Sequence, residues 1–233
     1  MKIFDLILNL IFPPKCAVCG KILAEGDSGF ACAACLSGLE YIDNRTGADL
    51  ESAGGYAFSG AFACAVYDGA AQKLIHTLKY YDRPAIGRLF TEYLIRESEL
   101  DFSFMDKIDA IVPVPLHENR LRRRGYNQCA VIAARLGAVF GKELIPGALT
   151  RTRDTLQQSG LSGAERRGNV AGAFEAGEGV AGLNILLVDD VFTTGGTLDE
   201  CAKALLKAGA KDVKCFTLTK TRFGAPKPQA PAD

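Results

Sequence analysis

Apolar positions recur at two different periods along the chain. Tyr56, Phe58, Phe62, Cys64 and Val66 alternate with small or polar residues around Ser59-Gly60, which predicts a hairpin or two short strands. Helical spacing takes over in Gly69–Tyr80 and Pro84–Glu97, and Pro84 suits a first helical turn because its missing amide proton would be unpaired there anyway. Apolar runs at 108–114, 184–188 and 212–219 predict strands, and the stretches 127–141 and 197–208 predict helices. Strands alternating with helices indicate an α/β fold, a parallel sheet covered on both faces. Ligands in such sheets bind beyond the carboxyl ends of the strands, so the loops after Val114 and Val188 are the informative ones.

The two ends of the chain read differently. Residues 1–12 are apolar, interrupted by Asp5 and Asn9, and run into Pro13-Pro14 without a small-residue cleavage site. That pattern predicts a short helix packed on the body and not a signal peptide. Residues 223–233 are rich in proline and alanine and predict a frayed tail. No run approaches the roughly 18 apolar residues that a membrane-spanning helix needs, so the expectation is a cytoplasmic protein with no membrane span. The division expected is an N-terminal helix and cysteine module at 1–45, a larger α/β domain at 46–222 and a tail at 223–233.

With 233 residues, 48% of them apolar and 23% charged, the chain can bury one sizeable core and carry a small appendage. Lysine plus arginine and aspartate plus glutamate both number 27, so no global field draws the protein to nucleic acid or to an anionic membrane. A polyanion would have to be met by a local patch. Two patches offer themselves: Arg120, Arg122, Arg123 and Arg124, and a second set of Arg151, Arg153, Arg166 and Arg167. Guanidinium forks match phosphate oxygens, although a solvated basic face has the same composition.

Four of the eight cysteines form the array Cys16-x2-Cys19-x12-Cys32-x2-Cys35. Each Cys-x2-Cys turn aims two thiolates at one centre, and two such turns supply the four sulfurs of a tetrahedral zinc site. Gly20, Gly26 and Gly29 permit a tight spacer. A pair of disulfides or an iron–sulfur cluster would use the same residues, but an intracellular compartment is reducing and favours metal. So short a segment needs the metal in order to fold, which makes the zinc structural. Cys64, Cys129, Cys201 and Cys215 lie singly among alanine, valine and leucine and read as small core residues, while His76 and His117 make no metal or acid–base pair.

The segment 185–197 carries the chemistry. An apolar strand ends in Asp189-Asp190, and Thr193-Thr194-Gly195-Gly196-Thr197 leads into a helix whose apolar face includes Leu198, Cys201, Ala202, Leu205 and Leu206. Unpaired amides and the positive end of the helix dipole make an anion site at Thr197. Gly195 and Gly196 let the backbone wrap a phosphate, and Thr193, Thr194 and Thr197 add hydroxyl donors. Asp189 and Asp190 would accept from vicinal hydroxyls or approach magnesium. The implied ligand is a sugar phosphate with free hydroxyls.

This segment resembles the phosphoribosyl pyrophosphate signature of type I phosphoribosyltransferases. The resemblance implies that the acid pair contacts the ribose hydroxyls and that the threonine–glycine loop binds the 5′-phosphate, with magnesium accompanying the ligand. Together with the cysteine array, Val112-Pro-Val-Pro115, Arg124-Gly-Tyr-Asn-Gln128, Gln157-Gln158 and Arg166-Arg167-Gly-Asn169, it is similar to the ComF family of competence-associated, phosphoribosyltransferase-like proteins. That likeness spans Cys16 to about Thr221. It implies pyrophosphate contacts from the loop containing Val114 and Pro115, marks the motif opened by Arg124 as a family hallmark, and brings Arg124 into the ligand-binding set. It also implies a link to DNA uptake in natural transformation. Two functions stay open: a phosphoribosyltransferase of unnamed acceptor, and a non-catalytic phosphoribosyl pyrophosphate sensor or single-stranded-DNA module. No oligomeric state and no catalytic acid or base follow from the sequence.

Overall fold

The longest apolar runs become the centre of a five-stranded parallel sheet. The computed structural model describes residues 13–42, 55–80, 83–154 and 170–222. Its strands are β1 (Gly60–Val66), β2 (Ala110–Pro113), β3 (Glu143–Leu144), β4 (Leu149–Arg151), β5 (Phe174–Ala176), β6 (Asn184–Phe192) and β7 (Asp212–Lys220). The main sheet runs in the order β1-β7-β6-β2-β3, and β4 with β5 forms a separate antiparallel pair. The helices are α1 (Ala33–Leu36), α2 (Gly69–Tyr80), α3 (Pro84–Glu97), α4 (Glu118–Arg124), α5 (Gln128–Phe140) and α6 (Gly196–Lys207).

Helices cover both faces, as an all-parallel sheet requires. Leu186 and Val188 of β6 belong to one core with Leu74, Leu78, Phe90, Ile132 and Leu136 from α2, α3 and α5. Ile185 and Leu187 belong to the other, with Leu198, Cys201 and Leu205 from α6. The strand's two-residue side-chain period divides them. Gly87 lets α3 lie close to its neighbours, since a Cβ there would stand 2.7 Å from Leu78 and 3.1 Å from Val131. The cysteine segment joins the first core: Phe30 lies 6.0 Å from the Phe90 ring and 5.9 Å from that of Tyr93. The amide of Ile42 donates to Cys64 O at 3.0 Å, and that of Val66 to Glu40 O at 2.8 Å, which covers the outer edge of β1.

Three expectations change. The expected hairpin over 56–66 is a single strand, β1, paired in parallel with β7. All seven of its residues are buried, so both of its sides are apolar and the alternation of the larger residues did not mark a solvent face. Strand β6 does not stop at Val188 but runs to Phe192, because its ladder with β7 continues through Asp189↔Thr217 and Val191↔Thr219. The arginine-rich stretch after Val114 is the short helix α4 and not an open loop, ended by Gly125 at φ 79°.

The pairing of β6 with β2 ends at Pro113↔Val188, so a crevice opens between the two strands just where the acids begin. From β2 the chain crosses outward to β3, and from β6 it crosses the other way to β7. The crevice is thus the switch point of the sheet, the place where α/β folds bind ligands. Among the described residues no helix is long and apolar enough to cross a membrane. The readings made for residues 1–12, for Gln157-Gln158, Arg166, Arg167 and Asn169, and for 223–233 lie outside the described residues.

Candidate functional site

The cysteine centre is assembled locally. The sulfurs of Cys16, Cys19, Cys32 and Cys35 all lie within 4.8 Å of one another, and those of Cys19 and Cys32 are 3.8 Å apart. Zinc bonds of about 2.3 Å in a tetrahedron separate sulfurs by roughly 3.8 Å, so the four thiols fit the ion. Gly20, at φ 74°, closes the first turn as its amide donates to Cys16 O at 2.9 Å. Asp27 ties the spacer, accepting from the amides of Ala24 at 2.7 Å and Ala33 at 3.0 Å. Burial works to raise the Cys16 thiol, but amides of Cys32 and Val18, each 3.4 Å from its sulfur, help to bring it down to about 6 and favour the thiolate that a metal needs.

At the sheet's switch point, Asp189 is half-buried and Asp190 buried. They leave the strand on opposite faces, Asp189 with Leu187 toward the α6 side and Asp190 with Val188 toward the α2 and α5 side. Asp189 Oδ1 accepts from the amide of Asp190 at 2.8 Å and from the Cys129 thiol at 3.2 Å. Its carboxyl is pushed up to about 6, first by burial and then by the Asp190 charge, with Lys79 opposing. Asp190 is held by Lys79 Nζ at 3.0 Å on Oδ1 and by Gln128 Nε2 at 3.0 Å on Oδ2. Burial would lower the Lys79 ammonium, but the adjacent Asp190 carboxylate more than offsets it and raises it above the ordinary lysine range.

The threonine–glycine loop follows directly. Gly195 takes φ 71° as the N-cap of the 12-residue α6, and Gly196 and Thr197 open the helix. A Cβ on Gly195 would lie 2.9 Å from the Tyr56 ring and 3.0 Å from that of Phe192, so both conformation and space require glycine. The Tyr56 hydroxyl donates to Thr194 O at 3.0 Å, and Asp199 accepts from the amide of Ala57 at 2.7 Å, which fastens the loop to the segment entering β1. Thr193, Thr194 and Thr197 are half-buried around the turn. The chemistry available is anion binding at a helix N-terminus beside one carboxylate.

Across the crevice, the amide of Val114 donates to Val188 O at 2.9 Å and Val114 O accepts from Asn127 Nδ2 at 3.0 Å, which fixes the loop carrying Pro115. The Arg124-Gly-Tyr-Asn-Gln128 motif acts as a clamp. Arg124 donates to Gln128 Oε1 and lies 5.5 Å over the Tyr80 ring, Tyr126 donates to Leu78 O, and Asn127 caps α5 by accepting from the amide of Cys129 at 2.9 Å. The arginine cluster is therefore divided among partners. Arg120 reaches Asp154 at 3.6 Å, Arg122 pairs with Glu118, Arg124 points inward, and Arg123 is exposed. Arg151 is buried over the Phe174 ring at 5.3 Å.

Lys79, Cys129 and Tyr56 belong to the candidate site but were not assigned to it from the sequence, and Gln128 was seen only as the end of the Arg124–Gln128 motif. Lys79 ends an ordinary amphipathic helix, and nothing in its local pattern announces a partner on β6. The expectation of inert core thiols holds: burial holds Cys64 up at about 12 and Cys129, Cys201 and Cys215 well above the usual thiol value.

With that geometry in hand, the likeness to known proteins is specific. A family model described as Phosphoribosyl transferase domain matches residues 76–233, and one described as Double zinc ribbon domain matches 7–47. The chain belongs to the phosphoribosyl transferase domain family. The zinc-ribbon segment contains one four-cysteine set and no histidine, which supplies ligands for a single tetrahedral ion. The chain is 36% identical over 150 residues to a protein named DNA utilization protein YhgH from Escherichia coli O157:H7, covering 64% of this chain and 66% of the relative. It is 36% identical over 115 residues to Competence protein F of Haemophilus influenzae, 48% of this chain and 50% of that one. Competence protein ComFC of Streptococcus pneumoniae is 27% identical over 154 residues, covering 66% of this chain and 65% of that one. The matches thus span just under two thirds, or less, of each relative's length. The likeness to the ComF family seen in the motifs holds against these relatives, and the zinc ribbon and phosphoribosyl transferase domain stand together in one chain.

Proposed function

We propose that the crevice between β2 and β6 binds phosphoribosyl pyrophosphate with magnesium, and that the protein serves DNA uptake in the cytoplasm of naturally transformable cells. The observation that carries this reading is the alignment of Asp189 with the N-terminal turn of α6, on one face of the sheet and at its switch point. A 5′-phosphate on Thr193–Thr197 would meet the N-terminal turn of α6 and the positive end of its dipole, and the ribose hydroxyls would then reach Asp189. The loop of Val114 and Pro115 faces the same crevice and would meet the diphosphate. Magnesium commonly sits on one or two carboxylates together with ligand phosphates, and Asp189 is the carboxylate that would hold it here. When bound, it would supply charge neutralisation for a departing diphosphate. The link to DNA rests on the names of the relatives, DNA utilization protein YhgH and Competence protein F.

One observation favours a non-catalytic sensor or a single-stranded-DNA module over a transferase. Neither Cys129, whose thiol is held well above its usual range, nor His117, which turns to Asp154 at 3.6 Å, supplies a base beside Asp189, which leaves only the two carboxylates themselves for that role. The deciding experiment incubates the protein with phosphoribosyl pyrophosphate, magnesium and a panel of bases and amines, and follows pyrophosphate release against a Thr194→Ala, Asp189→Asn control. Acceptor-dependent release lost in the control establishes the transferase. Donor binding without release, joined by salt-sensitive binding of single-stranded DNA, establishes the second reading. Absence of donor binding defeats both.

A further inference from the structure

A groove of about 360 Å³ lies between the cysteine module and the start of α3, and it shares no lining residue with the crevice. Pro14, Lys15 and Phe30 line it from the module, and Arg83, Pro84 and Arg88 from the α3 side. Its floor is apolar and tightly packed: Phe30 is 3% exposed, its ring against those of Phe90 and Tyr93, and Ile86 is buried beside it. Its rim is cationic. Lys15, Arg83 and Arg88 are exposed, and among the described residues their side chains enter no ion pair and no hydrogen bond. No acid stands among the described residues that line the groove. In a chain with 27 acids and 27 lysines and arginines this is a local excess, since Arg96, Arg122, Arg135 and Arg222 each meet a carboxylate. Exposed apolar side chains adjoin these cations. Ile22, 63% exposed, is the bridge partner of Lys15, so the two side chains share one face of the module. Leu89, also exposed, follows Arg88 and lies one turn beyond Ala85, which lines the groove.

We propose that this groove is a docking site for an acidic, apolar-rich segment of a partner protein. Its carboxylates would meet Lys15, Arg83 and Arg88 while its apolar side chains cover Ile22 and Leu89. The proposal is independent of what the crevice binds. Charge complementarity selects an anionic partner, and guanidinium forks hold carboxylates in paired hydrogen bonds. The apolar rim selects a peptide over a nucleic-acid strand. A strand-binding track sets exposed aromatic faces beside its cations for the bases to stack on, whereas the aromatic lining this groove, Phe30, has its ring in the core. Because the cysteine module supplies one side, the site exists only while that module is folded against α3.

Selection of random short peptides by the full, zinc-loaded chain, followed by fluorescence anisotropy of the enriched ones, tests this. Enriched peptides carry aspartate or glutamate interspersed with leucine or phenylalanine. Arg83→Glu with Arg88→Glu weakens their binding by about tenfold or more, and Ile22→Ser by a smaller factor. Lys107→Glu, a charge reversal at an exposed lysine outside the groove, binds them like the wild type. Arg83→Gln with Arg88→Gln gives the same reading should the charge reversals disturb the fold, and zinc content is checked in every variant. Enrichment of no acidic motif, or binding that the double variants leave unchanged, overturns the proposal. So does a single-stranded oligothymidylate that binds more tightly than the peptides and is lost in the same variants, which would make the groove a nucleic-acid track. Self-association abolished by those substitutions would make a second copy of the chain the occupant and overturn it as well.

Discussion

The four zinc-site sulfurs come from residues 16–35 and converge through two short turns, whereas the crevice gathers Tyr56, Lys79, Val114, Gln128, Asp189 and the loop 193–197 from most of the described chain. In the first site all four groups are alike, and a metal supplies what holds them together. In the second, unlike groups are held by the fold itself: an ion pair, an amide side chain and a sheet that ends at different points on its two edges. The contrast has a physical basis. A local site can depend on its ligand for folding, while a site assembled from distant segments needs the core to be in place first.

The sharpest way to break the contrast is at the cysteines. Cys16→Ser with Cys19→Ser abolishes the expected one zinc per chain, measured by elemental analysis, and unfolds the module; unchanged zinc would remove the four-cysteine assignment. At the crevice the larger effect comes from Lys79→Met alone, which strands the buried Asp190 charge. It lowers the unfolding free energy in urea by about 3–5 kcal/mol, and most of that returns when Asp190→Asn is added. Gly195→Ala forces a Cβ against Tyr56 and Phe192 at a positive φ, costs about 1–3 kcal/mol, and weakens ligand binding more than zinc binding.

The smallest effect is a pH dependence confined to the crevice. The Asp189 carboxyl is raised from 3.8 to about 6, so folding favours its protonated form. Its destabilising contribution is absent below pH 3.8, grows as pH rises toward 6 and is complete above that. Compared with Asp189→Asn, the wild type therefore loses on the order of 1–3 kcal/mol across that window. A constant difference between the two proteins from pH 4 to 7 would show that Asp189 is not desolvated by the fold.

The same contrast explains what could be read from the sequence. The cysteine spacing and the strand–acid–threonine–glycine–helix order of 185–197 are local patterns, so the four-cysteine cluster and the strand–loop–helix unit were legible directly. The alternation of strands and helices gave the parallel sheet. Lys79 was not legible, because its partner lies 111 positions away on another element and its helix has an ordinary amphipathic pattern. The Arg124–Gln128 motif was visible as a pattern but not as a clamp, since its contacts are to Leu78, Tyr80 and Asp190. Strand β1 misled for a related reason: only long-range pairing with β7 makes both of its sides interior.

The account stands on the claim that Asp189 and the 193–197 loop form one ligand site. Calorimetric titration of phosphoribosyl pyrophosphate with magnesium into the wild type and into Asp189→Asn, with zinc content checked in both, tests it most directly. The account predicts a single site in the wild type and at least a tenfold loss of affinity in the variant, as expected when a charged hydrogen-bond acceptor is removed, with zinc unchanged. Equal affinity in the two proteins, or no binding heat in either, would contradict it.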